Sequence, residues 1–168
     1  MAEIDDALTA NRTAVNDLIA AADRSGQVWT TPRAPGKWSP SQVVEHVARS
    51  LEESANLVSG APSKLPRLPF FVRPLARALL FRRVLRTNAF PKARTNKPMD
   101  PDSGPATSAE ARTRLEVALA RFDRECRASA SAGRPVASAA FGKVSAEDYA
   151  RFIAVHTRHH CKQMPGAN

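Results

Sequence analysis

The sequence predicts an all-α protein: one four-helix-bundle domain over residues 1–168, with an extra short helix and a long irregular loop between helices two and three. Three observations lead to this prediction. Four long segments repeat apolar residues at the three- and four-residue spacing of amphipathic helices. Helix-start signals stand at the heads of several of them. No segment shows a convincing strand alternation, and four long helices in one domain favour a bundle.

The first half of the chain predicts two long helices. Ile4, Leu8 and Leu18 belong to an apolar repeat that predicts a helix over residues 3–23. After a loop rich in glycine and proline, Ser39 is placed to be the N-cap of the second helix. Gln42 stands three residues later, as in a capping box, and the helix should continue to about residue 59.

The middle of the chain is broken by prolines and contains the extra short helix. Four helix breakers follow the second helix: Gly60, Pro62, Pro66 and Pro69. A short helix is predicted over residues 74–85. Residues 90–105 contain four prolines and predict a long irregular loop.

Two more long helices complete the bundle. Thr107 and Glu110 form a second capping-box pattern, and the helix that they begin should end before Gly133. The last helix should begin at Ser145, with Asp148 three residues on.

Three histidines carry the strongest functional signal. His156 and His160 are four residues apart on the predicted last helix, so both imidazoles lie on one face and can reach one ion. They continue the inward-facing apolar stripe of that helix. His46, on the second helix, would give a three-nitrogen site with an open coordination position, which is typical of a catalytic metal centre. The alternative is that these histidines are ordinary polar groups of the core, since a single His-x-x-x-His pair is common.

Two further residues are candidates for the same site. Glu53 lies seven residues after His46 on the same helix side and is a candidate general base, although it also suits a solvated surface carboxylate. Gln163 is three residues after His160. It could hydrogen-bond a histidine that binds the metal, or simply cap the helix end.

The net charge of +9 is concentrated in one segment. No Asp or Glu occurs from Ser54 to Met99, whereas ten Lys and Arg residues do. Such a block attracts anions: nucleic acid, lipid headgroups or an acidic small molecule. The simpler explanation is a solvated basic surface. The candidates for binding an anionic cosubstrate are Arg73, Arg77, Arg82, Arg83 and Arg94.

The remaining features bound location and partners. The acidic N-terminus lacks an apolar signal segment, and Cys126 and Cys161 do not suggest a disulfide framework, so we expect a cytoplasmic protein. No helix-turn-helix or aromatic-interleaved basic motif supports nucleic-acid binding. The arginines of the short helix do not gather on one side, so no membrane contact is expected. A homodimer through residues 75–85 and a small-molecule substrate are the expected partners.

Two segments resemble the motifs of the DinB superfamily, whose members are regarded as four-helix-bundle metalloenzymes. Residues 38–47, WSPSQVVEHV, resemble the motif of its second helix. Residues 156–163, HTRHHCKQ, resemble its closing His-x-x-His-His-x-x-Gln motif. Residues 81–98 and 141–145 are similar to a branch of that superfamily with no assigned function. This chain departs from those relatives at Ala139-Ala140, where they carry His-Pro.

The resemblance implies a divalent metal held by His46, His156 and His160. It also implies thiol-dependent transfer or isomerisation as one activity of the superfamily, with a low-molecular-weight thiol as cosubstrate. Zinc or nickel is the expected metal, with iron or manganese as alternatives. From the residues, thiol S-transfer and hydrolysis both stay open. A non-catalytic module that uses the basic segment to bind an anionic ligand, nucleic acid or a protein is the competing hypothesis.

Overall fold

Four long helices and one shorter helix make up most of the described part of the chain, which confirms the predicted all-α fold. The computed structural model describes residues 2–91 and 95–166. The long helices, numbered in chain order with the shorter helix as α3, are α1 (Ala2–Arg24), α2 (Pro40–Ser59), α4 (Ser108–Ser131) and α5 (Ala146–Cys161). None of the helices in the described part of the chain is long and apolar enough to cross a membrane.

The predicted start signals cap three of these helices. The Ser39 hydroxyl accepts from the Gln42 N–H, and the Gln42 side chain accepts from the Ser39 N–H at 2.9 Å, which completes a capping box before α2. The hydroxyls of Thr107 and Ser145 cap α4 and α5 in the same way, each accepting from the N–H three residues on. Local sequence therefore determines where each of these helices begins.

The bundle core forms where α2 packs on α4 and α1 packs on α5. Fully buried aliphatic and aromatic side chains fill the space between them, among them Leu8, Leu18, Leu51, Leu115 and Phe122. On the surface of the α2–α4 pair, Arg114 makes ion pairs with both Glu45 and Glu52. This pairing, which raises the pKa of Arg114, holds α4 beside the turn of α2 that carries His46.

The extra helix α3 is longer than predicted and contains a wider turn. Its α-helical segments Arg73–Ala76 and Arg82–Thr87 flank a π-helical segment, Arg77–Phe81. At the end of that segment Phe81 is buried, with its ring 5.1 Å from the ring of Phe152 on α5. The π-helical turn thus places an aromatic anchor on the bundle.

A small β-hairpin lies between α4 and α5, with β1 (Val136–Ser138) antiparallel to β2 (Gly142–Val144). Sequence alternation does not predict it, because strands of three residues are too short to show a period. Its turn contains Ala139, Ala140 and Phe141, and the backbone N–H of Leu68 donates to the Ala139 carbonyl at 3.0 Å.

The predicted long loop between α3 and α4 is irregular apart from one 3₁₀ turn, Lys97–Met99. It lies across the start of α2, where the Ser41 hydroxyl donates to the Pro105 carbonyl at 2.7 Å. The Trp38 indole N–H also donates to the Asp100 carboxylate at 3.0 Å. These bonds fix the loop against the helix that carries His46.

Candidate metal centre

The structure brings His46, His156 and His160 together. One ring nitrogen from each lies within 4.8 Å of those of the other two. The Nε2 atom of His156 is 3.4 Å from Nε2 of His46 and 3.2 Å from Nε2 of His160. His46 comes from α2, and the other two lie one turn apart on α5. His46, whose orientation the sequence left undecided, is only 4% exposed.

The outer nitrogens of two rings fix which way their lone pairs point. Nδ1 of His46 is 2.8 Å from the Met99 carbonyl oxygen, which can only accept, so this Nδ1 carries the proton. Nδ1 of His160 donates to the Gln163 side-chain oxygen at 3.1 Å. Both Nε2 atoms are therefore lone-pair bearers that face the centre of the cluster. Such outer hydrogen bonds orient the ligands of metal-binding histidines.

The third ring, His156, tests whether a cation fits the cluster. Its Nδ1 is buried and has no hydrogen-bond partner in the described part of the chain. Its Nε2 can donate one hydrogen to only one of the two neighbouring lone pairs, which leaves the other unsatisfied. Buried polar groups without partners are costly. A divalent cation would take up the lone pairs of all three Nε2 atoms, with the proton of His156 on Nδ1, so the donor set fits a metal.

Burial keeps the three imidazoles neutral at physiological pH. Loss of hydration is the main cause that lowers the pKa of His46 and, further, that of His156. The same cause lowers the pKa of His160 to about 3. Repulsion from the neighbouring imidazoles adds to the effect at each ring. Because metal binding requires the neutral form of histidine, these shifts favour coordination.

Aromatic rings shield the cluster from two sides. The Trp38 ring lies 4.7 Å from the His46 ring and 5.9 Å from the His160 ring, measured between centroids. The Phe90 ring lies 5.2 Å from the His156 ring. Trp38 therefore forms a wall of the site as well as packing its own loop onto the bundle.

A cavity of about 890 Å³ opens onto the cluster. Its wall follows α2 from His46 to Leu57 and α5 from His160 back to Tyr149. Each span covers twelve residues, so its end residues are eleven steps, or about 16 Å of helix, apart at 1.5 Å per residue. The end far from the histidines is apolar and is closed by α3 and the hairpin turn, through Leu80 and Phe141 among others. An elongated molecule could therefore reach the cluster with one end.

Basic side chains line the cavity near the histidines, but they are not the arginines that the sequence singled out. Arg33, Lys37 and Lys162 line it, whereas no Asp or Glu does among the described residues. Arg33 and Lys37 flank Gly36 just before the Trp38 motif, and Lys162 follows the closing histidines. Their positions next to the two histidine motifs are the sequence feature that could have predicted their place in the cavity.

The predicted anion-binding arginines lie elsewhere on the described structure. Arg73 donates to the Leu68 carbonyl at 2.9 Å, and Arg77 is half-buried with no hydrogen-bond partner found for its Nε. Arg82 and Arg83 are exposed on α3. None of the four lines the cavity, because the face of α3 that does so carries Ala76 and Leu80. Arg94 lies outside the described residues.

The structure also separates the two other candidate residues. Gln163 lies where the sequence interpretation placed it, against a histidine of the cluster. Glu53 does not reach the cavity. Its carboxylate accepts from the Lys64 N–H at 2.7 Å and so fastens the loop after α2. The side of α2 that Glu53 occupies faces this loop, so its placement does not support a role as general base.

Three further residues line the cavity, one beside the cluster and two in the hairpin turn. His159, expected at the surface, is half-buried, lines the cavity and has its Nε2 3.4 Å from the Gln163 side-chain nitrogen. Ala139 and Ala140 also line the cavity. The departure from the family pattern at these two alanines therefore falls on the cavity wall.

A three-histidine cluster at one end of a helical bundle, opening onto a cavity, is the arrangement of a protein that could hold a catalytic metal. The family model of the DinB superfamily matches residues 7–164. The chain belongs to that superfamily. Neither the search of curated proteins nor the search of solved structures found a match.

Proposed function

We propose that this chain is a divalent-metal-dependent enzyme in which Nε2 of His46, His156 and His160 bind the ion. The observation that carries the proposal is the convergence of three Nε2 atoms while two of the outer nitrogens donate to Met99 and Gln163. Membership of the DinB superfamily supports it. Three imidazoles leave coordination positions for water or substrate.

Zinc or nickel is the proposed metal, with iron or manganese as alternatives, because imidazole ligands suit the first three well. When bound to three neutral ligands, such an ion would keep its full charge and make a water or thiol easier to deprotonate. The surrounding rings of Trp38 and Phe90 would strengthen this electrostatic effect by limiting contact with water.

The cavity lining supports a small-molecule substrate or cosubstrate that carries a negative charge. Arg33, Lys37 and Lys162 line the cavity without a compensating carboxylate among the described residues. They would attract an anionic group and hold it near the histidines. A low-molecular-weight thiol that also carries a carboxylate has the required chemistry.

Transfer from a thiol is favoured over hydrolysis by the lining. Hydrolysis generally uses a carboxylate or histidine base beside the attacking water. No described carboxylate lines this cavity, and His159 is the one described histidine on its wall outside the cluster. A thiol ionises several pH units more readily than water and needs less assistance. Tyr149, deep in the cavity, cannot serve as the base because burial raises the pKa of its phenol. It shares a hydrogen bond with the Ser54 hydroxyl at 3.2 Å.

His159 is our candidate for carrying a proton to or from the reacting group. It lines the cavity outside the three-histidine cluster. An imidazole exchanges protons near neutral pH. Its contact with Gln163 links it to the hydrogen bond that orients His160.

Elemental analysis of untagged protein tests the metal site. We expect about one divalent metal per chain, lost in His46→Ala and in His156→Ala. His159→Ala is the matched control, because it removes an adjacent imidazole that is outside the cluster, and it should keep the metal. No metal in the wild-type protein, and none taken up from added zinc or nickel, would contradict the proposal. A non-catalytic binding module would then be the better hypothesis.

Steady-state kinetics with a thiol and a model electrophile tests the reaction. Lys37→Glu with Lys162→Glu should raise KM for a carboxylate-bearing thiol at least tenfold and leave KM for a neutral thiol nearly unchanged. The control is Arg134→Glu, at an exposed position that does not line the cavity. An equal effect on both thiols would argue against an anionic cosubstrate.

A further inference from the structure

The surface of α3 and the loop before it carries an unusual concentration of exposed hydrophobic side chains. Phe70, Phe71, Leu75 and Leu79 are 77%, 70%, 58% and 65% exposed. They are four of the six large hydrophobic residues that are exposed in the described part of the chain. The two phenylalanine rings contact each other edge-on at 5.6 Å. We call these four residues the α3 patch.

The patch is separate from the cavity and the core, because α3 uses different faces for each. Phe81 and Val84 are buried against the bundle, and Leu80 lines the cavity. Leu75 and Leu79 point away from both, and folding of this chain leaves them in solvent. Large apolar side chains left exposed close together along the chain commonly mark an interaction surface.

The exposed side of α3 changes character along the helix axis. Its first half carries Leu75 and Leu79, and its second half carries the exposed residues Arg82, Arg83 and Arg86. None of these arginines takes part in an ion pair found in the described structure. An apolar end is therefore followed by a free positive end on one surface.

The wider surroundings carry the same sign of charge. Lys64 and Arg67 are exposed on the loop that precedes the patch. No Asp or Glu occurs anywhere from Ser54 to Met99. A partner must therefore supply both an apolar layer and a negative charge next to it.

We propose that the α3 patch docks this protein on the surface of an anionic lipid bilayer. The four hydrophobic side chains enter the boundary between headgroups and acyl chains, while Arg82, Arg83 and Arg86 contact the headgroups. Apolar insertion combined with electrostatic attraction is the usual basis of peripheral membrane binding. The sequence predicts no membrane contact because the arginines do not gather on one side of the helix. In the structure, the apolar and basic residues are separated along the helix axis instead.

Two other occupants fit less well. A second copy of the chain in a two-fold symmetric contact would place two basic surfaces against each other with no acidic residue between 54 and 99 to pair them. A nucleic acid would meet the arginines but would leave Phe70, Phe71, Leu75 and Leu79 without an apolar partner.

Cosedimentation with vesicles tests the proposal. The probes are vesicles of phosphatidylcholine alone and of equal parts phosphatidylcholine and phosphatidylglycerol. We expect the wild-type protein to bind the anionic vesicles only, and binding to weaken as the ionic strength rises. Leu75→Gln with Leu79→Gln should weaken binding about tenfold or more, because two apolar side chains can no longer be buried. The matched control is Val117→Gln, another exposed hydrophobic residue, 63% exposed on α4.

Charge reversal separates insertion from simple attraction. Arg82→Glu with Arg83→Glu should also weaken binding, whereas Arg134→Glu, exposed outside α3 and the loop before it, should have a much smaller effect. If the arginine variant loses binding and the leucine variant keeps it, the apolar patch plays no part and the proposal is wrong. Absence of binding to anionic vesicles overturns it as well.

Light scattering of the free protein tests whether a second copy of the chain covers the patch. A dimer at micromolar concentration that Leu75→Gln with Leu79→Gln converts to a monomer would assign the patch to a second copy instead. Vesicle binding should be retained in His46→Ala, so the outcome does not depend on the metal centre.

Discussion

At the scale of single residues, the candidate centre depends on atoms outside the three Nε2 positions. The Met99 carbonyl and the Gln163 side-chain oxygen each accept a hydrogen bond from the outer nitrogen of a cluster histidine, at 2.8 and 3.1 Å. Each acceptor selects the tautomer that leaves Nε2 free. The protein thereby fixes both the direction and the protonation of two rings before a metal arrives.

Replacing Gln163 tests this arrangement. Gln163→Leu removes the acceptor, so His160 loses its orientation, and metal affinity should fall about ten- to a hundredfold. Gln163→Glu keeps an acceptor and should retain the affinity. Competition with a chromophoric chelator measures both. Equal affinities for the wild type and the leucine variant, with intact circular dichroism, would show that Gln163 does not position the ring.

Residue patterns reveal some of this site and conceal the rest. The pair His156 and His160 is predictable, because a spacing of four places both rings on one helix face. The acceptor for His46 is a backbone carbonyl 53 residues away, and every residue type has such a carbonyl. The direction of His46 was therefore undetermined until the loop that contains Met99 was placed.

At the scale of elements, the loop between α3 and α4 acts as a support for α2. Besides the Ser41 and Trp38 bonds, the Gln42 amide donates to the Pro101 carbonyl at 3.0 Å. Gly104 lies so close to α2 that a Cβ added there would be 2.1 Å from the backbone oxygen of Ser41. Only glycine permits this approach.

Gly104→Ala should therefore separate the loop from α2. We expect the free energy of unfolding to fall by about 1–3 kcal/mol, as is typical of overpacked positions. We also expect weaker metal binding, because the Met99 carbonyl moves with the loop. Ser103→Ala, an exposed neighbour, is the control for both denaturant unfolding and chelator competition. A destabilised variant with unchanged metal affinity would show that the loop does not position His46.

Element boundaries were predictable where a side chain caps a backbone. The starts of α2, α4 and α5 follow from Ser39, Thr107 and Ser145, whose hydroxyls bind N–H groups three residues on. The hairpin of Val136–Ser138 and Gly142–Val144 could not be predicted in this way. Each strand is too short for a pattern, and its pairing depends on the bundle behind it.

At the scale of the whole molecule, folding removes three imidazole side chains from water to form the cluster. The metal-free protein therefore resists protonation of His46, His156 and His160. Their pKa values in the folded state lie below 6.5, and that of His160 lies at about 3. The unfolded chain binds more protons than the folded chain over this interval, so stability falls as pH falls.

Thermal unfolding of the metal-free protein measures this effect. The melting temperature should decrease from about pH 7 to about pH 5, with up to about 1.4 kcal/mol lost per pH unit for each such histidine. His160→Leu should reduce the slope. More acidic solutions are left out because the raised pKa of Asp123 acts on stability in the opposite direction. An identical slope in His160→Leu would contradict the assignment.

Charge on the molecular scale was the least predictable property. The basic segment is evident in the sequence, but which arginines face the cavity depends on how α3 packs. The cavity is lined instead by Arg33 and Lys37, from the loop before α2, and by Lys162, just after α5, all at the end of the helix pair that carries the histidines. Composition predicts that the electrostatic potential is positive, whereas the fold determines where on the molecule it is positive.

The separation of His46 from His156 by 110 residues has a consequence for how the protein matures. The ribosome makes the first candidate ligand long before the other two, and neither helix alone presents three nitrogens. An ion could therefore bind to all three histidines only after α5 has packed beside α2. The metal content of a preparation would then report the fraction of fully folded chains. Incomplete or misfolded chains would not compete with folded ones for the metal.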